Sequence, residues 1–324
     1  MCGIVGYVGT PGQSKPALGV VIDALRRMEY RGYDSAGIAL LDGSGGMAVE
    51  KKAGKLDNLV ATVESAGLEN YPATTGIGHT RWATHGRPTD INAHPHVDQL
   101  GKIAVVHNGI IENFAPLHAE LEAQGVEFTS ETDTETVTHL LHAEYYGEGP
   151  NAGNFTASVM AVINRLEGAF TLVIAHADHP DMLMACRRST PLVIGVGEHQ
   201  MFLGSDVAAF IEHTREAVEL GQDNVVTITA DGYTITDFEG NPVEGRPFTI
   251  DWDLEAAEKC GYDYFMLKEI AEQPQALADT LRGHFVDGRI VLDERRLSDE
   301  DLRQIEKIFV VACGSAYPVS YTHL

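Results

Sequence analysis

The 324-residue sequence predicts a layered α+β fold, with antiparallel strands and helices in separate blocks. Three observations carry this. From Ala169 to about Thr236, short apolar and β-branched runs (AFTLVIA, MLMACR, PLVIGVG, QMFLGS, NVVTITA, YTITD) succeed one another across tight turns. Helical periodicity is confined to other stretches. Nowhere does strand alternate regularly with helix, as a parallel sheet would require.

The elements follow in chain order. CGIVGYV reads as a short buried strand. KPALGVVIDALRRMEY sets Leu18, Val21, Ile22, Leu25 and Met28 on one helical face. AGIALLD and MAVEKKAG flank the Gly-Ser-Gly-Gly turn at 43–46 as a hairpin. TGIGHTRWATHG and KIAVVHNGII are strands running into polar loops, and IIENFAPLHAELEAQG and DTETVTHLLHAEYY are helices. The latter helix opens on Thr132-x-x-Glu135, a capping-box pattern. The acidic, aperiodic stretch 237–262 reads as a linker, followed by the helix YFMLKEIAEQPQALADTLRG. IEKIFVVACGSAY then reads as a buried strand entering a small-residue loop, the way a phosphate-binding α/β domain begins.

Composition excludes several function classes. A formal net charge of −24 opposes a phosphate backbone, so nucleic acid is not an expected partner. No secretory signal and no run of about 20 apolar residues is found, so no membrane association is expected and the cytoplasm is the expected location. Cys2, Cys186, Cys260 and Cys313 are scattered without a CxxC pair, which fits reduced thiols better than disulfides. The sequon at Asn154 has no meaning in that compartment.

The chemistry starts at the second residue. Methionine aminopeptidases remove Met1 when a small side chain follows, which leaves Cys2 with a thiol and a free α-amine. A thiol attacks only as thiolate, and its ordinary pKa is about 8.5. An α-amine, with a pKa of roughly 7.7–8.0, is substantially free base at neutral pH, so Cys2 would carry its own proton acceptor, reached through a bridging water or the substrate. The alternative is an ordinary small buried residue.

Acyl transfer at such a thiol also needs oxyanion donors. VVHNGII offers the Asn108 side-chain amide and the Gly109 backbone N–H, although Asn-Gly also simply makes turns. In GHTRWATHGRP, Arg81 is suited to a bidentate carboxylate grip, Trp82 to covering the site, and Thr84 and the His85 backbone to further hydrogen bonds. The competing reading is a surface loop with one core tryptophan. Asp133, in the first turn of its helix, stays ionised there and is suited to a substrate ammonium, although taken singly an ordinary acidic first turn is the more frequent explanation. Arg31 either supports the loop of the nucleophile or terminates its helix as a favourable cation. His79, His85, His94, His96 and His107 lie close in sequence, but their spacing matches no zinc pattern, so neither a metal nor another cofactor is expected. A Cys-His dyad stays open, but it would leave the position of Cys2 unexplained.

Together CGIVGYVG, LRRMEYRGYDSAGIA, GHTRWATHGRPTDINAHPHV, VVHNGIIEN, SETDTE, PLVIGVG, KEIAEQP and ACGSAY resemble, in order over about 2–317, the glutaminase half of the glutamine–fructose-6-phosphate aminotransferase (isomerizing), or glucosamine-6-phosphate synthase, family. The resemblance implies a four-layer αββα sandwich of antiparallel sheets, of the N-terminal nucleophile hydrolase type. It implies Cys2 as nucleophile with its amine as base, and Asn108 with Gly109 as oxyanion hole. Arg81, Trp82, Thr84, His85 and Asp133 match glutamine-binding and lid positions, Trp82 the gate of an ammonia channel, and Arg31 a supporting position.

The implied organisation is a glutaminase domain at 2–230, a linker and helix at 231–300, the opening of a sugar-isomerase domain at 301–317, and an unmatched tail at 318–324. Two departures stand out: Ala316 falls where the family commonly carries a hydroxyl, and the match stops near Pro318, so a truncated chain is expected. The implied activity is release of ammonia from glutamine. In the full-length transaminase it is coupled to conversion of fructose 6-phosphate to glucosamine 6-phosphate by the second half, in a homodimer. The alternatives are a non-catalytic glutamine-sensing or assembly domain, and the glutaminase of another class II amidotransferase.

Overall fold

The computed structural model describes residues 2–83 and 86–251, together with 262, 265–281, 285–286, 289–290, 300 and 303–305. The chain divides into two compact units, Met1–Cys260 and Gly261–Leu324.

In the first unit, one antiparallel sheet runs β14 (Arg246–Thr249), β11 (Glu216–Glu219), β9 (Val193–Gly197), β10 (Gln200–Gly204), β1 (Gly3–Gly9), β4 (Ala73–Arg81), β2 (Ser35–Asp42), β3 (Met47–Ala53). The other runs β13 (Gly232–Asp237), β12 (Asn224–Thr229), β8 (Met182–Arg188), β7 (Gly168–His176), β6 (Ile103–Ile111), β5 (His96–Val97). The helices are α1 (Ala17–Met28), α2 (Leu56–Ser65), α3 (Phe114–Ala123), α4 (Asp133–Tyr146) and α5 (Phe155–Ile163).

Three apolar layers hold these elements as αββα. Val21, Leu25 and Met28 of α1 and Leu59 of α2 pack on Val5, Tyr7, Ile38 and Leu40. Ile4, Val8 and Ile77 meet Ala104, Val106 and Val173 between the sheets. Ile103, Val105 and Leu172 pack under Leu140 and Leu141 of α4 and Val159 of α5. Successive strand residues point to opposite faces, so Val5 and Tyr7 face the helices while Ile4 and Val8 face the second sheet. Each fully buried side chain such as Leu25 contributes about 1.5–3 kcal/mol by leaving water.

The hairpin expected around 43–46 is β2–β3, with Ile38 opposite Glu50. The buried face of α1 is Ala17, Val20, Val21, Ala24, Leu25 and Met28; Leu18 and Ile22 are only partly buried at its flank. The capping box at α4 does not form as expected. The Glu135 carboxylate reaches past Thr132 to the backbone N–H groups of Thr129 and Ser130, while the Thr132 hydroxyl is engaged by His96 and Ser130. The first unit also extends beyond 230: β13 pairs with β12, and β14, inside the stretch read as a linker, pairs with β11. In the second unit the expected helix is α6 (Phe265–Leu281), and β15 (Phe285–Val286) pairs with β16 (Arg289–Ile290). The expected isomerase opening and tail lie outside the described residues, apart from 303–305.

Candidate active site

The site is built where both sheets turn their inner faces toward one another. Along β4, Ile77 lies in the inter-sheet core, so His79 and Arg81, two and four residues on, share its face. Along β6, Ala104 and Val106 lie in the same core, so Asn108 shares theirs. Cys2, two residues before Ile4, stands at the start of β1 on the same side. His107, between Val106 and Asn108, points the other way and meets Thr134 of α4 across 2.9 Å. Period-two register thus gathers Cys2, His79, Arg81 and Asn108 from three strands.

The Cys2 thiol lies 3.2 Å from the Trp82 N–H, which donates to it, and 3.4 Å from the Trp82 carbonyl. Burial pushes the thiol up from its ordinary pKa; the Trp82 N–H and the Arg81 and Arg31 cations offset this only in part. The resting group is therefore a thiol that must give up its proton before it attacks. The Cys2 carbonyl accepts from Asn108 Nδ2 at 3.0 Å and from Arg31 Nε at 3.3 Å, and Arg31 is in turn paired with Asp206 at 3.2 Å. Arg31 thus bridges the Cys2 backbone and the Asp206 carboxylate.

Asn108 is held on its other side as well. Its Oδ1 lies 3.0 Å from His79 Nε2, which also lies 3.0 Å from the His107 carbonyl. Its backbone carbonyl accepts from Thr190 Oγ1 at 3.2 Å. Next to it, Gly109 adopts φ +124°, and a Cβ there would collide with the Ala169 carbonyl oxygen, so only glycine fits.

Asp133 stands at the N-terminus of α4, where its Oδ2 accepts from the Ile111 N–H at 2.8 Å. Arg81 is buried, its guanidinium donating to the Gly86 and Arg87 carbonyls, both at 3.4 Å. Those carbonyls belong to the loop after β4. Asn92 secures that loop by donating to Arg87 O at 3.0 Å and to the Glu131 carboxylate at 3.1 Å, and by accepting from the Glu131 N–H at 3.0 Å. Cys2, Arg81, Asn108, Gly109 and Asp133 all line one cavity of about 250 Å³. That volume lies below the roughly 300–1,000 Å³ of drug-sized pockets and suits a ligand the size of an amino acid. Trp82 stands at the cavity rim with its ring half-exposed, edge-on to Tyr33 at 5.3 Å.

Thr84 and His85 lie outside the described residues, as do Met1, Cys260 and Cys313. Among the described residues no group of three His, Cys, Asp or Glu side chains is arranged to hold a metal, and no helix is long and apolar enough to cross a membrane. His79, His94, His96 and His107 instead form a buried set, with ring centroids of 4.4 Å for His79–His94 and 4.9 Å for His94–His96. Sequence reasoning weighed these histidines only as metal ligands or dyad partners. It missed His79 beside Asn108, Asn92 behind Arg81, and Thr190 on the Asn108 carbonyl.

The chain is similar to several known proteins. A family described as a glutamine amidotransferase domain matches residues 79–212. Over 98% of its length the chain is 67% identical to the glutamine–fructose-6-phosphate aminotransferase (isomerizing) of Mycolicibacterium smegmatis, covering 51% of that protein. With the protein of the same name from Streptomyces coelicolor the identity is 58% over 98% of the chain and 50% of the relative. The chain thus spans about half the length of the curated relatives it matches. Among solved structures, the glutamine phosphoribosylpyrophosphate amidotransferase from B. subtilis aligns with TM-score 0.60 at 23% identity, over 74% of this chain and 50% of that one. A structure described as the allosteric regulatory enzyme of purine biosynthesis aligns with TM-score 0.61 at 24% identity, over the same shares. At these identities the likeness speaks for the fold alone, the layered α+β architecture.

Proposed function

We propose that the chain is a member of the glutamine–fructose-6-phosphate aminotransferase family and hydrolyses glutamine to glutamate and ammonia at Cys2. The observation that carries this reading is that one amino-acid-sized cavity is shared by a thiol, an amide donor aimed at that thiol's residue, a buried arginine and a buried carboxylate.

In this mechanism, removal of Met1 frees the Cys2 amine, which takes the thiol proton through a bridging water. Glutamine binds with its α-carboxylate on Arg81 and its ammonium on Asp133, with Trp82, Thr84 and His85 closing over it. The thiolate attacks the side-chain amide carbon. Asn108 Nδ2 and the Gly109 N–H hold the oxyanion, while Arg31 keeps the Cys2 backbone in place. The carbon–nitrogen bond breaks as the protonated amine returns its proton to the leaving nitrogen. Water then cleaves the γ-glutamyl thioester, releasing glutamate and restoring the thiol.

In the complete protein, a cytoplasmic homodimer, the ammonia passes to fructose 6-phosphate and gives glucosamine 6-phosphate. Residues 301–317 correspond to the opening of the sugar-isomerase half that performs that step.

The test is intact-mass analysis of the purified chain before and after a diazo-ketone analogue of glutamine, paired with an ammonia assay. Loss of Met1, a single adduct on Cys2 and glutamine-dependent ammonia are expected. Glutamine binding without ammonia release would overturn the reading in favour of a sensing domain.

A further inference from the structure

We infer that His79 is a positioning residue that sets which way the Asn108 amide faces, so that its N–H₂ group rather than its carbonyl is presented to the reacting carbon. The inference rests on the glutaminase reading, in which Asn108 holds the oxyanion.

Hydrogen-bond polarity fixes the orientation of the amide. His79 is wholly enclosed between the sheets, and its Nε2 lies 3.0 Å from two atoms, the His107 carbonyl oxygen and Asn108 Oδ1. A backbone carbonyl can only accept, so the proton of the imidazole must reside on Nε2. An Nε2 that donates requires an acceptor from Asn108, which is the amide oxygen. The amide nitrogen is thereby turned to the opposite side, where it donates to the Cys2 carbonyl at 3.0 Å. Rotating the amide by half a turn would oppose donor to donor at His79 and acceptor to acceptor at Cys2, and both contacts would be lost. His79 Nδ1 is buried and has no hydrogen-bond partner among the described residues, so nothing among them draws the proton away from Nε2. Burial, reinforced by the neighbouring Arg81 and His107, pushes the imidazole down to a pKa of about 3, so it keeps this single neutral form throughout the neutral range.

The role separates from a general structural one through the residue on which it acts. His79→Leu removes the donor, whereas His79→Gln keeps an N–H near the Nε2 position. Activity is read per site titrated by the diazo-ketone analogue, which removes any contribution from unfolded protein. With loss of one oxyanion donor lowering kcat by about 10²–10³, His79→Leu is expected to lower it about ten- to a hundredfold, with KM for glutamine nearly unchanged and His79→Gln recovering most of the loss. In an Asn108→Ala background the same change is expected to add nothing, because the amide it orients is gone. Unchanged turnover per site in His79→Leu, or a full multiplied loss in the Asn108→Ala background, would overturn the inference.

A second measurement does not depend on activity. ¹⁵N spectra of the histidine-labelled native chain are expected to show His79 neutral with its proton on Nε2 between about pH 5 and 8. A proton on Nδ1, or a charged ring, would overturn the inference even in an active protein. If instead the native chain released no ammonia while His79 showed the Nε2 form, the glutaminase reading would fail and the amide orientation would stand.

Discussion

Asn108 Nδ2 donates to the Cys2 carbonyl oxygen across 3.0 Å, joining two residues 106 positions apart in the chain. The bond ties the start of β1 in one sheet to β6 in the other. A donor already aimed needs no reorganisation when negative charge develops beside it. Asn108→Ala is therefore expected to lower kcat for glutaminase by about 10²–10³ while leaving KM for glutamine nearly unchanged. Steady-state ammonia release at varied glutamine measures both. A rise in KM at constant kcat would place Asn108 in substrate binding instead.

The thiols should separate by environment. Cys2 lines the cavity, whereas Cys186 is wholly buried under the helical layer and burial pushes its pKa up to about 12. A glutamine-like electrophile is expected to modify Cys2 and spare Cys186, as peptide mass mapping will read. Cys2→Ala is expected to release no ammonia yet melt within a few degrees of the native chain, since Cys2 is only partly buried and anchors no core layer. A chain forced to retain Met1 is expected to be nearly as inactive, because its Cys2 nitrogen is an amide. Full turnover in that form would sink the role given to the amine.

Gly109 is expected to tolerate no side chain. At φ +124° an L-residue is strained, and the added Cβ would collide with the Ala169 carbonyl and sit 2.9 Å from Phe170 Cα. Gly109→Ala should destabilise the unit by about 3 kcal/mol or more, read as a shift of the urea midpoint. Gly12→Ala is the control: it also has positive φ, +75°, but a Cβ there meets nothing within 4 Å, so only the smaller backbone term applies.

How much of this was legible in the sequence depends on whether the signal is local. The patterns Ile77-x-His79-x-Arg81 and Ala104-x-Val106-x-Asn108 place the polar residues on the faces of their apolar neighbours, and strand parity alone reads that. The motifs CGIVGYVG and VVHNGII thus gave the nucleophile and oxyanion candidates directly. That His79 would meet Asn108 was not legible, because it depends on which strands face one another across two sheets. Strand β14 was invisible for another reason: all four residues of RPFT are exposed, so no apolar alternation marks it, and only pairing with β11 defines it. The capping box misled because Thr132 looks outward to His96, a partner 36 residues away. Helices α2 and α5, at 10 and 9 residues, are shaped more by packing than by propensity.

Substrate affinity should respond to Asn92, which is not among the residues that line the cavity. Asn92 holds the Arg87 carbonyl, and that carbonyl accepts from the Arg81 guanidinium. Asn92→Ala leaves the Glu131 N–H and the Arg87 carbonyl without this partner and lets the loop that frames Arg81 move. With one neutral hydrogen bond worth about 1 ± 0.5 kcal/mol, KM for glutamine is expected to rise about three- to tenfold with kcat nearly unchanged. Arg81→Ala, which removes a charge-assisted grip worth about 1.5–3 kcal/mol, should raise KM by about ten- to a hundredfold or more. An effect on kcat alone from Asn92→Ala would refute the route through Arg81.

Acid should destabilise the unit through its buried histidines. Burial pushes His79 and His96 down to about 3 and His94 well below its ordinary value, with nearby cations and histidines reinforcing the effect. In the unfolded chain the same rings titrate near 6.5. Between these limits the unfolded state binds protons that the folded state refuses, so stability rises with pH across the window and is lost as pH falls from about 6.5 toward 3. Each such ring contributes up to about 1.4 kcal/mol per pH unit, so the three together give a slope of roughly 4 kcal/mol per unit near pH 5. Urea unfolding at pH 5, 6 and 7 measures the slope. The cleaner comparison is with His96→Gln, which should lower the slope by about one proton because one ring no longer titrates in the unfolded state. An unchanged slope in that variant would show that His96 is protonated in the fold, against the neutral form assigned to this cluster.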